Sequence, residues 1–261
     1  MLLSMIPATE VEQWLDRLYI AAEGAGLRRE DRRKAIEVAS MLEEIERAIH
    51  RFSRRSPLVL VDAAAGKSYV GLLSAKLVLD PGGRRATVVT IERDSERVEA
   101  SLRAARRLEA STPVECRAAD VAAGDAWPRH VSMVAALHAC GTAADAVIEC
   151  ALATRARTLL LVPCCTSAAM PVAARAQSHA DAAGIPRHAP VRRRYIQAMV
   201  DAERTWRLEA AGYETEVVEF VSPAVTPHNL LWRARRVGES RRMKAAQAAW
   251  DKLRKELSIP D

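Results

Sequence analysis

The sequence predicts an α/β domain built on a mostly parallel sheet that ends in an antiparallel pair. Three observations predict it. From Pro57 onward, short apolar runs alternate with helical stretches. Runs such as Thr158-Leu159-Leu160-Leu161-Val162 are apolar without interruption, as strands covered on both faces require. The last two runs are joined only by Ser222-Pro223-Ala224-Val225-Thr226-Pro227-His228, which is too short for a parallel crossover.

Taken in order, strands are predicted at 58–62, 87–92, 113–117, 132–138, 157–163, 213–221 and 229–236. Helices are predicted between the first five and after the fifth, at 68–79, 95–109, 142–153 and 168–183. Upstream, Thr9-Glu10-Val11-Glu12 reads as a capping box, the Thr9 hydroxyl and Glu12 carboxylate satisfying amides at a helix start. Val11, Trp14, Leu15 and Leu18 then share one face, and Gly24 and Gly26 break the helix. A second helix from Asp31 to Phe52 carries the stripe Ala35, Val38, Ala39, Leu42, Ile45 and Ile49. Met243, Ala246, Trp250, Leu253 and Leu257 mark a C-terminal amphipathic helix. The expected organisation is a helical extension over 1–56 acting as a cap or side wall, a sheet domain over 57–238, and a docked helix over 239–261.

Hydrophobic residues make up 49% of the 261 positions but aromatics only 4%, so Ala, Leu and Val must build the core. The net charge of +6 is gathered in clusters: Arg28-Arg29 with Arg32-Arg33-Lys34, Arg51 with Arg54-Arg55, Arg192-Arg193-Arg194, and Arg233 through Lys244. Basic faces attract polyanions such as RNA. Interleaved acids suit a solvated, salt-bridged surface equally well. No basic stretch, apolar core and cleavage site form a signal peptide, and no apolar run approaches the roughly 20 residues of a membrane span. Five cysteines, an odd number in a chain large enough to fold without staples, argue for free thiols in a reducing compartment. The expectation is a cytoplasmic protein without a membrane partner.

The most informative stretch runs from Leu58-Val59-Leu60-Val61-Asp62 through Ala63-Ala64-Ala65-Gly66-Lys67-Ser68 to Val88-Val89-Thr90-Ile91-Glu92-Arg93. It has the form of a βαβ unit whose first turn approaches a nucleoside and whose second strand ends in a carboxylate for ribose hydroxyls. Gly66 permits positive φ and close approach of a ligand, and the following helix start suits an anion. Asp62 either orients the loop or accepts a bond from a ligand ammonium. The turn has too few glycines to wrap a pyrophosphate, and no glycine precedes Lys67 by five residues as a P-loop requires. A ligand with ribose and an amino-acid group but no phosphate fits: S-adenosylmethionine. The plainer reading is an ordinary tight turn with exposed acids. Asp120, beyond the third strand, is placed to bond an adenine amino group.

Leu137-His138-Ala139-Cys140-Gly141 after strand four, Val162-Pro163-Cys164-Cys165 after strand five, and Thr226-Pro227-His228-Asn229-Leu230 complete a pattern. Over residues 57 to 236 the chain resembles a class I S-adenosylmethionine-dependent methyltransferase, of the group whose fourth strand ends in Leu-His-x-Cys and whose fifth ends in Pro-Cys-Cys. The resemblance implies a Rossmann-like seven-stranded methyltransferase sheet, five parallel strands plus an antiparallel terminal hairpin, with cofactor over the strand carboxyl ends. It implies cofactor contacts at Asp62, Ala64, Gly66, Lys67, Glu92, Arg93, Asp120 and His138. The chain departs from the pattern where Ser68 stands for a common glycine and where Ala63-Ala64-Ala65 replaces a glycine-containing turn, a small residue being kept at each place.

At the reacting end, His138 and Cys140 are the candidate catalytic residues: His138 as a base with a pKa naturally near neutrality, Cys140 as a thiol contact. His138 can instead cap the next helix or pack near adenine. Asp145 either orients His138 or faces solvent. Zinc at His138, Cys140, Cys164 and Cys165 is not expected, since adjacent cysteines on a strand point to opposite sides and no Cys-x-x-Cys spacing occurs. Arg193, Arg194, Tyr195 and Asn229 are the candidate substrate contacts, arginine beside an aromatic suiting nucleic acid. A surface helix with salt-bridged arginines, and an asparagine bonding its own turn, are the structural alternatives. The expected activity is methyl transfer to a macromolecule, RNA ahead of protein. A small-molecule methyltransferase lidded by the N-terminal helices and a non-catalytic scaffold binding RNA or protein are the alternatives. An NAD-dependent oxidoreductase lacks its glycine fingerprint.

Overall fold

A computed structural model describes residues 6–259. Its single sheet contains β1 Leu58–Ala63, β2 Ala86–Glu92, β3 Val114–Ala118, β4 Met133–Ala139, β5 Thr158–Pro163, β6 Tyr213–Glu219 and β7 Leu230–Arg236, in the order β3-β2-β1-β4-β5-β7-β6. The first five are parallel, and β7 lies antiparallel between β5 and β6. Each predicted strand is found, with ends displaced by two residues at most. The strand order reverses between β1 and β4, which opens a crevice at their carboxyl ends.

Alternation along the strands builds two layers. Leu58, Leu60, Val88, Met133, Ala135, Leu160 and Val162 face one core, with α1 Ala8–Leu15, α2 Arg29–Ile49 and α3 Tyr69–Leu73. Val61, Ala63, Val89, Ile91, Val134, Ala136, Leu159 and Leu161 face the other, with α5 Thr142–Ala153 and Leu208. α4 Ser95–Leu108 starts on Asp94, whose carboxylate accepts from the amides of Glu96 and Arg97 as a helix cap. The N-terminal helices share the sheet's own core and form one of its two helical layers.

Several local readings are corrected. α1 begins on Pro7 without a side-chain cap, so Thr9 lies inside the helix and the expected capping box does not form. The helix runs on through a wider π turn over Asp16–Ile20 and a tighter 3-10 turn over Ala21–Glu23 to Gly24, whose φ of 71° ends it. α2 begins two residues early, where the Asp31 carboxylate accepts from the Arg28 amide. After β5 come α6 Pro171–Ala182 and α7 Ala189–Ala210, the latter a 22-residue helix that places the Arg192-Arg193-Arg194-Tyr195 run on a helical surface. α8 Ser240–Glu256 follows β7, and its Trp250 indole donates to Glu203 on α7. No described helix is long and apolar enough to cross a membrane.

Candidate functional site

The turn after β1 has an unusual backbone. Ala64, Gly66 and Ser68 all adopt left-handed φ, at 53°, 57° and 57°. Ala64 thus holds the conformation glycine supplies in related turns, at a cost of about 1–2 kcal/mol for an L-residue. A β-carbon built on Gly66 meets nothing within 4 Å, so the turn faces open space. Beneath it Asp62, on the same strand face as Leu58 and Leu60, accepts from the Gly71 amide at 2.8 Å. Asp62 is buried, and desolvation pushes its carboxyl up to about 7, the Gly71 bond opposing and Glu92 adding to the rise. Its carboxylate thus braces the start of α3 from beneath the turn. Gly71 is required there, since a β-carbon would lie 2.7 Å from Thr90 Cγ2.

Glu92 ends β2 across the crevice. Its Oε2 accepts from the Gly66 amide at 2.8 Å and its Oε1 from Asp94 at 3.0 Å. Each carboxylate oxygen carries two lone pairs, so both keep an acceptor site for a diol. A cleft of about 430 Å³ opens here, lined among others by Ala64, Glu92, Arg93, Asp120, His138 and Cys140. The fold thus joins six of the nine expected cofactor and catalytic positions in one cavity of the size small-molecule sites have. Val121, Ala143 and Ala146 give it apolar wall. Asp120 is exposed at its rim, one oxygen accepting from the Ala122 amide. A carboxylate for hydroxyls and an apolar wall for a base fit an adenosyl group. Lys67 faces away: its carbonyl accepts from Tyr19, and its ammonium lies 5.8 Å from the Tyr19 ring centroid.

His138 sits where β4 slips register against β5, with φ of 65°. Strained non-glycine backbone of this kind concentrates at functional sites. Its Nε2 lies 3.0 Å from Glu37 on α2. Burial opposes ionisation of Glu37, but hydrogen bonds with His138 and Lys34 outweigh it and hold the carboxyl below its ordinary value. Asp145 does not orient His138; it pairs with Arg204 at 2.8 Å and Arg207 at 3.2 Å on α7. Glu37 takes that place, from a segment where the sequence showed only an apolar stripe.

The cysteines depart most from expectation. Cys140 and Cys164 form a disulfide between the ends of β4 and β5, so Cys140 is no free thiol contact; Cys116, Cys150 and Cys165 are free. Strand alternation does not separate Cys164 from Cys165, because both follow β5 in a loop; their sulfurs are 3.8 Å apart. The sulfurs of Cys140, Cys164 and Cys165 all lie within 4.8 Å of one another.

A second cavity, of about 520 Å³, opens beside the disulfide, lined among others by Cys164, Arg193, Arg194, Asp201, His228 and Asn229. Arg193 and Arg194 are exposed and form no ion pair with the described residues, whereas Arg192 beside them is buried on Asp181 at 2.7 Å. Tyr195 turns away and bonds His179. The Asn229 amide donates to the Val221 carbonyl at 3.0 Å, holding the β6–β7 turn while lining the cavity. Asp201, for which no sequence motif offers a signal, is pushed up to about 6 by burial, against the Gln197 hydrogen bond and the Arg204 charge. His228 is held below its ordinary pKa by desolvation and by the His138 charge, Glu37 opposing.

Comparison with known proteins accords with this geometry. Residues 33–170 match the family described as methyltransferase domain. Among solved structures, SAH-bound methyltransferase PaMTH1 of Podospora anserina is 13% identical, with TM-score 0.50 and 89% of each chain covered. The CMeT domain of citrinin polyketide synthase is 11% identical, with TM-score 0.51, covering 87% of this chain and 60% of that one. SAH-bound magnesium protoporphyrin IX methyltransferase (ChlM) from Synechocystis PCC 6803 is 14% identical, with TM-score 0.47, covering 88% and 99%. At such identities the likeness is one of fold. No curated protein matches the chain. The family match spans more than half the sequence and contains the glycine turn, Glu92, Asp120 and the β4 and β5 ends: the chain belongs to the methyltransferase-domain family and is an S-adenosylmethionine-dependent methyltransferase.

Proposed function

We propose that the methyl acceptor is RNA, received in the cavity beside Cys164 and held there through its phosphates by Arg193 and Arg194. The observation that carries this reading is that both guanidiniums are exposed at the cavity and unpaired among the described residues, while Arg192, Arg204 and Arg233 are consumed by Asp181, Asp145 and Glu44. Unpaired arginines at a pocket suit phosphate.

Glu92 would hold the ribose of S-adenosylmethionine, the turn at Ala64 and Gly66 its amino-acid end, and Asp120 the adenine. The bound cofactor supplies an electrophilic methyl group on a sulfonium leaving group. The chain's own part is alignment and proton removal. Glu37 holds the Nε2 edge of His138, which fixes the ring and leaves Nδ1 as the lone pair able to take a proton from an acceptor hydroxyl or amine.

The test is transfer of label from labelled S-adenosylmethionine to total RNA from cells lacking this protein. Incorporation is expected, falling steeply between about 50 and 200 mM salt. Replacing Arg193 and Arg194 by alanine should weaken it and lower the salt slope by about 1 for each phosphate no longer bound. Label in a small-molecule or protein fraction, with none in RNA, would refute the reading.

A further inference from the structure

We propose that Cys140 and Cys164 are a reducible dithiol/disulfide site that controls whether an acceptor can reach the methyl-transfer position. This rests on the reading that the cavity beside Cys164 receives the acceptor.

Cys140 is the first residue after β4 and lines the nucleoside cleft; Cys164 is the first after β5 and lines the second cavity. Their bond therefore lies in the wall between the two cavities. The Cys140 and Cys164 sulfurs also lie 3.4 Å and 3.7 Å from the carbonyl oxygen of His138. The Gly141 amide donates to the Cys165 carbonyl at 3.3 Å, so the segments after β4 and β5 are already joined through their backbones. The disulfide fixes the bend that carries His138 against the β5 loop and places two sulfurs where the cavities meet. Without it, the β4 and β5 ends are coupled by that backbone bond and can part.

The site is reachable. Cys140 and Cys165 are exposed, and Cys165 sets a third sulfur 3.8 Å from Cys164. The other free thiols, Cys116 and Cys150, are half-buried, and burial pushes both thiols up, which makes them slow. The co-reactant is a dithiol. One of its thiolates attacks Cys140 or Cys164, breaking the protein S–S bond and forming a mixed disulfide. Its second thiolate breaks that bond in turn. Two electrons and two protons pass from the dithiol to the protein, which gains two thiols as the dithiol becomes a cyclic disulfide. The reduced enzyme transfers methyl groups; the oxidised enzyme binds the cofactor but admits no acceptor.

The full chain is alkylated with iodoacetamide before and after dithiothreitol and mapped by mass spectrometry, with and without saturating S-adenosylhomocysteine. Before reduction, Cys165 is the only one of the three expected to react. After it, Cys140 and Cys164 react as well, and the nucleoside slows Cys140 at least tenfold while Cys165 is unaffected. Label transfer into RNA should be at least tenfold faster in the reduced enzyme, and that ratio should fall to one in both Cys140→Ser and Cys164→Ser. If RNA takes no label in either state, the acceptor reading fails, while the alkylation pattern still decides the thiol site. Alkylation of Cys140 before reduction would overturn the proposal. So would equal transfer in the two redox states, or a reduced protein that retains one zinc ion on the three sulfurs.

Discussion

Replacing Glu92 by glutamine keeps the side chain's shape and removes its charge and one acceptor oxygen. In the native turn the carboxylate accepts from the Gly66 amide at 2.8 Å and the Asp94 amide at 3.0 Å. Hydrogen bonds to a charged group contribute about 1.5–3 kcal/mol each. Glutamine has a single carbonyl oxygen, so one of the two amides keeps a partner and the other faces an NH2 group. Stability should therefore fall by about 1.5–3 kcal/mol, at roughly 2–4 °C of melting temperature per kcal/mol for a chain of this size. In the proposed cofactor site the ribose hydroxyls donate to the same charge, so affinity for S-adenosylhomocysteine should fall by another 1.5–3 kcal/mol, or about 10- to 150-fold in Kd. Titration calorimetry well below both melting points separates the two effects, because no unfolded protein is then present. A variant that melts lower but binds the nucleoside as the wild type does would show that Glu92 braces the turn and does not touch the ligand.

Ser68 has left-handed φ, and its buried hydroxyl has no hydrogen-bond partner among the described residues. Ser68→Gly should therefore raise thermal stability, relief of about 1–2 kcal/mol of backbone cost plus the unpaired hydroxyl exceeding glycine's entropic cost of about 0.5–1 kcal/mol; a lower melting temperature would contradict this. The Asp62 carboxyl is raised from 3.8 to about 7 in the folded chain, so between these values the unfolded chain releases a proton that the native chain keeps. Its contribution to stability is full below pH 3.8 and is lost as pH rises to about 7; Asp62→Asn should flatten the fall in melting temperature between about pH 4 and 7. Glu37→Gln removes the charge facing His138 Nε2 and should lower the transfer rate by about 10- to 100-fold, a fraction of what a whole general base contributes, with cofactor affinity kept. Single-turnover transfer and calorimetry together check it; unchanged transfer would make the pair structural.

The sheet was legible because its signal is local and repeated. Leu58, Leu60, Val88 and Met133 on one face, and Val61, Val89 and Val134 on the other, follow from alternation alone. That the candidate cofactor positions would meet was legible for a related reason: a strand end, a glycine turn and an acid closing the next strand converge on one crevice wherever this unit forms. What stayed hidden depends on angle or distance. On α7 successive residues are turned by about 100°, so Arg193 and Arg194 line a cavity while Tyr195 meets His179. Glu37 lies far from His138 along the chain, and nothing in a helix stripe announces a partner on a strand end. An odd cysteine count describes the whole chain, whereas the Cys140–Cys164 bond depends on β4 and β5 being neighbours in the sheet.

In the cofactor site proposed for this chain, the nucleoside of S-adenosylmethionine lies in the cleft between the Gly66 turn and Glu92. A crystal structure of the full chain with S-adenosylhomocysteine tests that directly. The ribose hydroxyls should lie within hydrogen-bonding distance of the Glu92 carboxylate, with the adenine between Asp120 and Ala143. A nucleoside bound in another cavity, or none at saturating concentration, would contradict it.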